Sequence, residues 1–237
     1  MTEWAAKRFW TEARVTEEGA GFGVALDARS VKTPAKAPLV VPTRALAEAI
    51  AAEWEAVEAK IDPRAMPMTR SANAAIDKVA HQRAEVADMI AAYGETDLLC
   101  YRAVAPQELV LRQSEEWDPM LDWADSALNA RLRPVSGVMP AAQDRSALEN
   151  LRRAVHAQGI FELTALHDLV ALSGSLILGL AAQHGVRNVH ELWQISRLDE
   201  AWQAELWGAD DEAEATAEIK RAAFLHAQEF YCLVSEV

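Results

Sequence analysis

Cysteine is nearly absent: Cys100 and Cys232 are the only 2 in 237 residues, and they lie far apart outside any CxxC pattern. A disulfide framework is excluded, and this usage fits a reducing compartment with both thiols read as small buried apolar groups. Positive charge is scarce too. Lys and Arg number 23 against 36 Asp and Glu, a formal net charge of −13. Binding that rests on phosphate neutralisation needs clustered cations, so nucleic acid is not an expected partner. Long apolar runs are also missing. The longest, Leu163 to Ala182, is interrupted by His167 and Asp168 and reads as a buried core helix, so no membrane span is expected. Met1 to Trp10 has neither an apolar h-region nor a long Arg-rich amphipathic stretch, which predicts no signal peptide or organellar presequence.

Catalytic and metal-binding signatures are equally thin. The 6 histidines form no HxxxH or HxH pair, and no serine stands in a GxSxG elbow or an SxxK motif. No catalytic residue, cofactor or metal is therefore expected. The glycines of Gly19-Ala20-Gly21-Phe22-Gly23 precede the strand-like FGVALD rather than a helix. They predict a hairpin turn, not a phosphate loop. His167-Asp168 reads first as a buried imidazole satisfied by a backbone carbonyl, and second as a general base. The second alternative would make the chain a small-molecule hydrolase or isomerase.

What the sequence does contain is a 51% apolar, 25% charged composition of ordinary globular type. From Arg8 to Val41, short alternating segments are punctuated by turn residues, with Ala28-Arg29-Ser30 read as one turn and Pro34, Pro38 and Pro42 confined to sheet edges or strand ends. Thr43 reads as an N-cap, and beyond it Leu46, Ile50, Trp54, Val57 and Ile61 recur at helical spacing. Asp62-Pro63 ends that helix, and Met66 to Thr69 starts another. Leu98 to Val104 fits strand or helix equally. Asp118-Pro119 predicts a helix start, and Pro134 and Pro140 bracket the following loop. Asn188 with Glu191 and Asp211 with Glu214 have capping-box spacing, which starts the last two helices. The fold class is therefore α+β: a small antiparallel β-rich N-terminal domain over residues 1–42, then a larger all-helical domain over 43–237. The 43–60 helix could belong to either.

Asn188 to Gly208, taken as one helix, sorts into two stripes. Leu192, Ile195, Leu198, Trp202 and Leu206 form a core stripe that includes Asp199, for which Arg197, Arg187 or Lys220 could supply a counter-charge. Trp193, Glu200 and Trp207 recur every seven residues on a neighbouring face. That face is either ordinary helix packing or a recognition surface, since Trp is enriched at binding hot spots. Trp193, Asp199, Glu200, Glu205 and Trp207 are the candidate partner-binding residues.

Seven stretches carry a family resemblance: KRFW (Lys7 to Trp10), LDARSVKTP (Leu26 to Pro34), VPTRALAEAIAAEW (Val41 to Trp54), AMPMT (Ala65 to Thr69), DLLCYR (Asp97 to Arg102), EWDPMLDW (Glu116 to Trp123) and SRLDEAWQAELWG (Ser196 to Gly208). Together and in this order the chain resembles the ATP synthase assembly chaperones that bind the alpha subunit of the F(1) head before the hexamer forms. The resemblance implies a β-rich domain joined to a helical one, without catalysis, covering the alpha subunit. The lack of a presequence fits a cytoplasmic bacterial member or a mature matrix protein, and a monomer is expected. The family's important acid falls on Asp199 or Glu200, where many mitochondrial members carry Glu-Glu. Trp54 matches a family hallmark, and its place on the Leu46–Ile61 stripe points to core packing. A general adaptor for another protein client would share the same surface.

Overall fold

The computed structural model describes residues 7–19, 21–137 and 142–235; Ala20 of the predicted turn and Pro140 of the predicted loop lie outside them, as does most of the Met1 to Trp10 segment. The fold is α+β, with a small antiparallel sheet followed by mostly helical chain. Two compact units are present. One comprises the described residues up to Arg83 with Gly159–Ala165 and residues 229–235, and the other the described residues of Ala84–Gln158 with Leu166–Gln228.

In the first unit, β1 (Ala13–Glu18) and β2 (Gly21–Leu26) pair antiparallel, with Ala13 opposite Leu26 and Glu18 opposite Gly21. The turn between them begins at Gly19, whose φ of 60° only glycine adopts cheaply, so the predicted hairpin is present. The far side of β2 carries β3 (Arg29–Ser30) beside Ala25 and Leu26, and β4 (Val40–Val41) beside Phe22 and Gly23. Arg29 and Ser30 are thus strand, not turn as predicted. The reversal sits earlier, at Asp27, where φ is 53° and the carboxylate accepts from the Thr11 and Glu12 N–H groups at 3.0 Å each. That anchoring fixes Asp27, a residue type that tolerates the αL conformation, as the reversal point.

Helix α1 (Arg44–Glu55) opens where predicted, with the Thr43 side chain accepting from the Leu46 N–H. It stops at Glu55, six residues short of Ile61, because Arg8 takes its last carbonyl and that of Val57 just beyond. The guanidinium donates to the Glu55 and Val57 carbonyls at 2.7 Å each and to the Glu55 carboxylate at 2.8 Å. This bond holds the Glu55 carboxyl below its ordinary range. Glu53 on the same helix reaches forward to the start of α2 (Pro67–Asp77), accepting from the Met68 N–H, the Thr69 N–H and the Thr69 hydroxyl. A carboxylate thereby occupies the electropositive helix end, which Met66 cannot cap. The core of this unit joins Val24, Leu26, Leu39 and Val41 of the strand region to Leu46 and Ile50 of α1 and to Phe230. Each such side chain, fully buried, contributes about 1.5–3 kcal/mol. Trp54 is half-buried and edge-on to Trp10, with centroids 5.4 Å apart, so the core-packing expectation holds for its ring.

The second unit holds most of α3 (Arg83–Ala91), β5 (Tyr101–Arg102), α4 (Gln107–Leu128), β6 (Val135–Ser136) and α5 (Arg145–His156). These are followed by most of α6 (Ile160–Ser173), α7 (Leu176–Gln183), α8 (Val189–Ser196), α9 (Leu198–Trp207) and the larger part of α10 (Asp211–Ser235). Leu98–Cys100 forms a 3-10 turn and β5 pairs parallel with β6, which resolves the Leu98 to Val104 ambiguity in favour of both conformations in succession.

Asp118-Pro119 does not start a helix. Pro119 lies inside α4, and Asp118 pairs with Arg102 at 2.7 Å instead of capping. Burial of Trp117, Met120, Leu121 and Ala124 on one face carries the helix past the hydrogen bond that Pro119 cannot make. Leu163 to Ala182 is likewise two helices, separated at Gly174, where φ is 74°. No helix among the described residues is long and apolar enough to cross a membrane.

At the break between α6 and α7, Asp97 is completely buried and accepts from the Ser175 hydroxyl at 2.7 Å and from the Ile177 and Leu99 N–H groups at 3.0 Å. Burial outweighs these bonds and pushes its carboxyl up to about 6. Cys100 is buried, its thiol pushed up to about 12 by burial, whereas Cys232 is only half-buried, a correction to the paired reading.

Candidate functional site

The segment from Asn188 to Gly208 is not one helix. Asn188 caps α8 as predicted, accepting from the His190 N–H at 2.9 Å, but the helix ends at Ser196. Three hydrogen bonds account for the break. The Ser196 hydroxyl donates to the Trp193 carbonyl at 2.7 Å, and the Trp117 indole donates to the Ile195 carbonyl at 3.0 Å. The Arg197 N–H turns back to the Gln194 carbonyl, three residues earlier. Two carbonyls that an unbroken helix would offer to Arg197 and Asp199 are thus bonded elsewhere. Arg197, with φ −111° and ψ 15°, begins a new helix with a new facing.

The predicted Trp193–Glu200–Trp207 face therefore does not exist as one stripe. Trp193 is buried at 6% exposure and packs on Phe224, with ring centroids 5.7 Å apart. Glu200 is exposed and pairs with Arg197 at 2.7 Å. Trp207 stands 83% exposed at the end of α9, and Leu206, predicted to face the core, is 54% exposed. Leu192, Ile195 and Leu198 are buried as expected, and Trp202 is half-buried.

Asp199 has a neutral partner rather than any of the predicted cations. Gln113 on α4, itself buried, donates from Nε2 to the Asp199 carboxylate at 2.7 Å, while its Oε1 accepts from the Ala103 N–H at 2.8 Å. Both ends of the amide are used, so its orientation is fixed. Arg187 pairs with Glu116 instead. Glu205 takes both oxygens to Arg112 at 2.7 and 2.9 Å, and that bond holds its carboxyl below the ordinary range. Sequence reasoning missed Arg112 and Gln113. The signal lay in the spacing Leu109, Gln113, Trp117, Met120, Ala124, which puts a polar amide on the buried stripe of α4.

A cleft of about 580 Å³ opens beside these pairs, lined by Arg112, Glu116, Arg187, Ile195, Leu198 and Ala201. The start of α10 adds further acids. Its cap is Asp210, one residue before the predicted Asp211, with the carboxylate accepting from the Ala213 N–H at 2.8 Å.

The other candidate, His167, is bonded to its neighbour Asp168 at 2.9 Å rather than to a backbone carbonyl, and both side chains are partly exposed. The Asp168 bond raises the His167 pKa. Among the described residues, no group of three or more His, Cys, Asp or Glu side chains is placed to hold a metal ion.

The chain is thus an α+β protein whose candidate site is a helical surface, with Trp207 exposed beside Glu200 and Glu205. Comparison with known proteins gives the family. The ATP12 chaperone protein family matches residues 7–125, and the chain belongs to it, a family of ATP synthase assembly chaperones. Atp12 from Paracoccus denitrificans is 52% identical over 98% of this chain and all of its own, with a TM-score of 0.95. A form of that protein carrying an aspartate-to-lysine change superposes with a TM-score of 0.96, at the same identity and coverage. Protein atp12, mitochondrial, from Schizosaccharomyces pombe is 23% identical over 87% of this chain and 75% of its own length.

Proposed function

We propose that this chaperone binds the alpha subunit of the F(1) head and masks its subunit interface until the hexamer forms, with α9 as the contact. The supporting observation is that α9 presents Trp207 at 83% exposure together with Glu200 and Glu205, while Asp199 and the buried Trp193 seat this part of the chain. A subunit awaiting its neighbour exposes an apolar interface that aggregates unless covered. A cover that must later leave is best built from a few aromatic anchors and charge complementarity rather than a wholly apolar contact. The protein acts as a monomer in the bacterial cytoplasm, with no catalytic step.

Capture of the alpha subunit by the purified chain tests this. Glu200→Lys breaks only a surface pair with Arg197, which contributes about 0.2–1 kcal/mol, so melting should hold while capture falls. Trp207→Ala should act in the same direction. Undiminished capture by both variants would remove α9 from the contact.

A further inference from the structure

Helix α10 has two apolar stripes, and only one of them is used. The inner stripe carries Phe224 and Ala227, both buried. The outer one, Ala215, Ile219 and Ala222 at spacings of four and three, is exposed throughout, with Ile219 at 73%. Asp211 and Glu218 run along one flank of that outer stripe and Glu212 along the other, from the 100° turn per residue. Every charged side chain from Leu198 through Ile219 is acidic. Lys220 and Arg221 lie on the opposite side of the helix, and Arg221 is tied to Glu218 at 2.6 Å.

We propose that this outer face of α10 docks a cationic amphipathic helix of the partner protein. Its apolar residues would lie against Ile219 and its Lys or Arg side chains over the carboxylates of Asp211 and Glu212, since Glu218 is already paired with Arg221. The inference deepens the chaperone reading, on which it rests for the existence of a protein client, by stating the client's chemistry and extending the contact beyond α9. Charge complementarity selects this occupant. A second copy would set two acidic strings side by side at a net charge of −13 each, and an anionic lipid surface would be repelled in the same way. The i, i+4, i+7 spacing of Ala215, Ile219 and Ala222 is that of a helix face able to pack against a second helix.

The test uses the full chain and a synthetic leucine–lysine peptide patterned as an amphipathic helix. A leucine–glutamate peptide of the same pattern and an unpatterned glycine–lysine peptide serve as controls. Saturable binding of the leucine–lysine peptide alone is expected, weakening as salt rises. Ile219→Ser, and separately Asp211→Asn with Glu212→Gln, should each weaken it about tenfold without moving the melting midpoint. Equal binding of the leucine–glutamate peptide, or leucine–lysine binding indifferent to both variants, would overturn the proposal. The two readings fail separately. A chain that ignores the alpha subunit but keeps variant-sensitive peptide binding loses only the identity of the client. One that captures the subunit but shows no such peptide binding loses only the α10 docking face.

Discussion

Asp199→Ala, set against Asp199→Asn, separates structure from contact at the site. Asp199 accepts from Gln113 Nε2 at 2.7 Å, and Gln113 is buried at 1% exposure with its other end fixed by the Ala103 N–H. Removing the carboxylate leaves a buried N–H group unpaired. Hydrogen bonds to charged groups contribute about 1.5–3 kcal/mol, and stranding a buried donor falls in the same range. A loss of about 2 kcal/mol corresponds to roughly 4–8 °C in a domain of this size. Asp199→Asn retains a carbonyl oxygen for the same donor and should cost under about 1 kcal/mol. Had the partner been a cation, as the sequence suggested, Asn would have been nearly as damaging as Ala. Thermal and urea unfolding followed by circular dichroism measures both, and a double-mutant cycle with Gln113→Leu should show a coupling of about 1–2 kcal/mol. Equal midpoints for wild type and Asp199→Ala, or zero coupling, would refute the argument that this bond seats α9.

Three further outcomes follow from other parts of the molecule. Asp97 has a folded pKa of about 6, raised above the unfolded value near 3.9, so its contribution is fully present below about pH 4 and is lost as pH rises through 6. The stability gap between wild type and Asp97→Asn should therefore shift by about 2 kcal/mol toward the wild type as pH falls from about 6 to 4, a change that urea titrations at several pH values would show. A Cβ at Gly179 would stand 2.6 Å from Val170 Cγ2 and 3.2 Å from Leu166 Cδ1, so Gly179→Ala should destabilise by about 1–3 kcal/mol through overpacking despite its better helix propensity. Thr43→Ala removes the cap on the Leu46 N–H and a hydroxyl bond to the Leu233 carbonyl. It should cost about 1–2 kcal/mol by denaturant unfolding.

The features legible in sequence are those set by neighbours along the chain. The Thr43 cap, the turn at Gly19, the α2 start at Met66 to Thr69 and the Asn188 cap each depend on a few adjacent residues. The errors share a different cause. The apolar spacing Leu192, Ile195, Leu198, Trp202, Leu206 runs unbroken across Arg197, yet the Trp117 indole, 78 positions away from Ile195, takes the carbonyl that helix continuation needs. Arg102 likewise takes Asp118 away from capping, and Arg8 ends α1 from outside the helix. Each is a non-local hydrogen bond that periodicity cannot register. Among the candidate residues, the acids and Trp207 stand out in the sequence because their types are unusual in that setting. Gln113 was missed because an amide on an apolar stripe carries no charge to draw notice.

Competition between this chain and the ATP synthase beta subunit for the alpha subunit decides whether the chain masks the subunit interface. In a sedimentation or size-exclusion titration, the chain and the alpha subunit should form a complex that dissolves as beta subunit is added, releasing free chaperone while alpha and beta co-migrate. A stable three-component complex in which the chain stays bound beside the beta subunit would contradict interface masking.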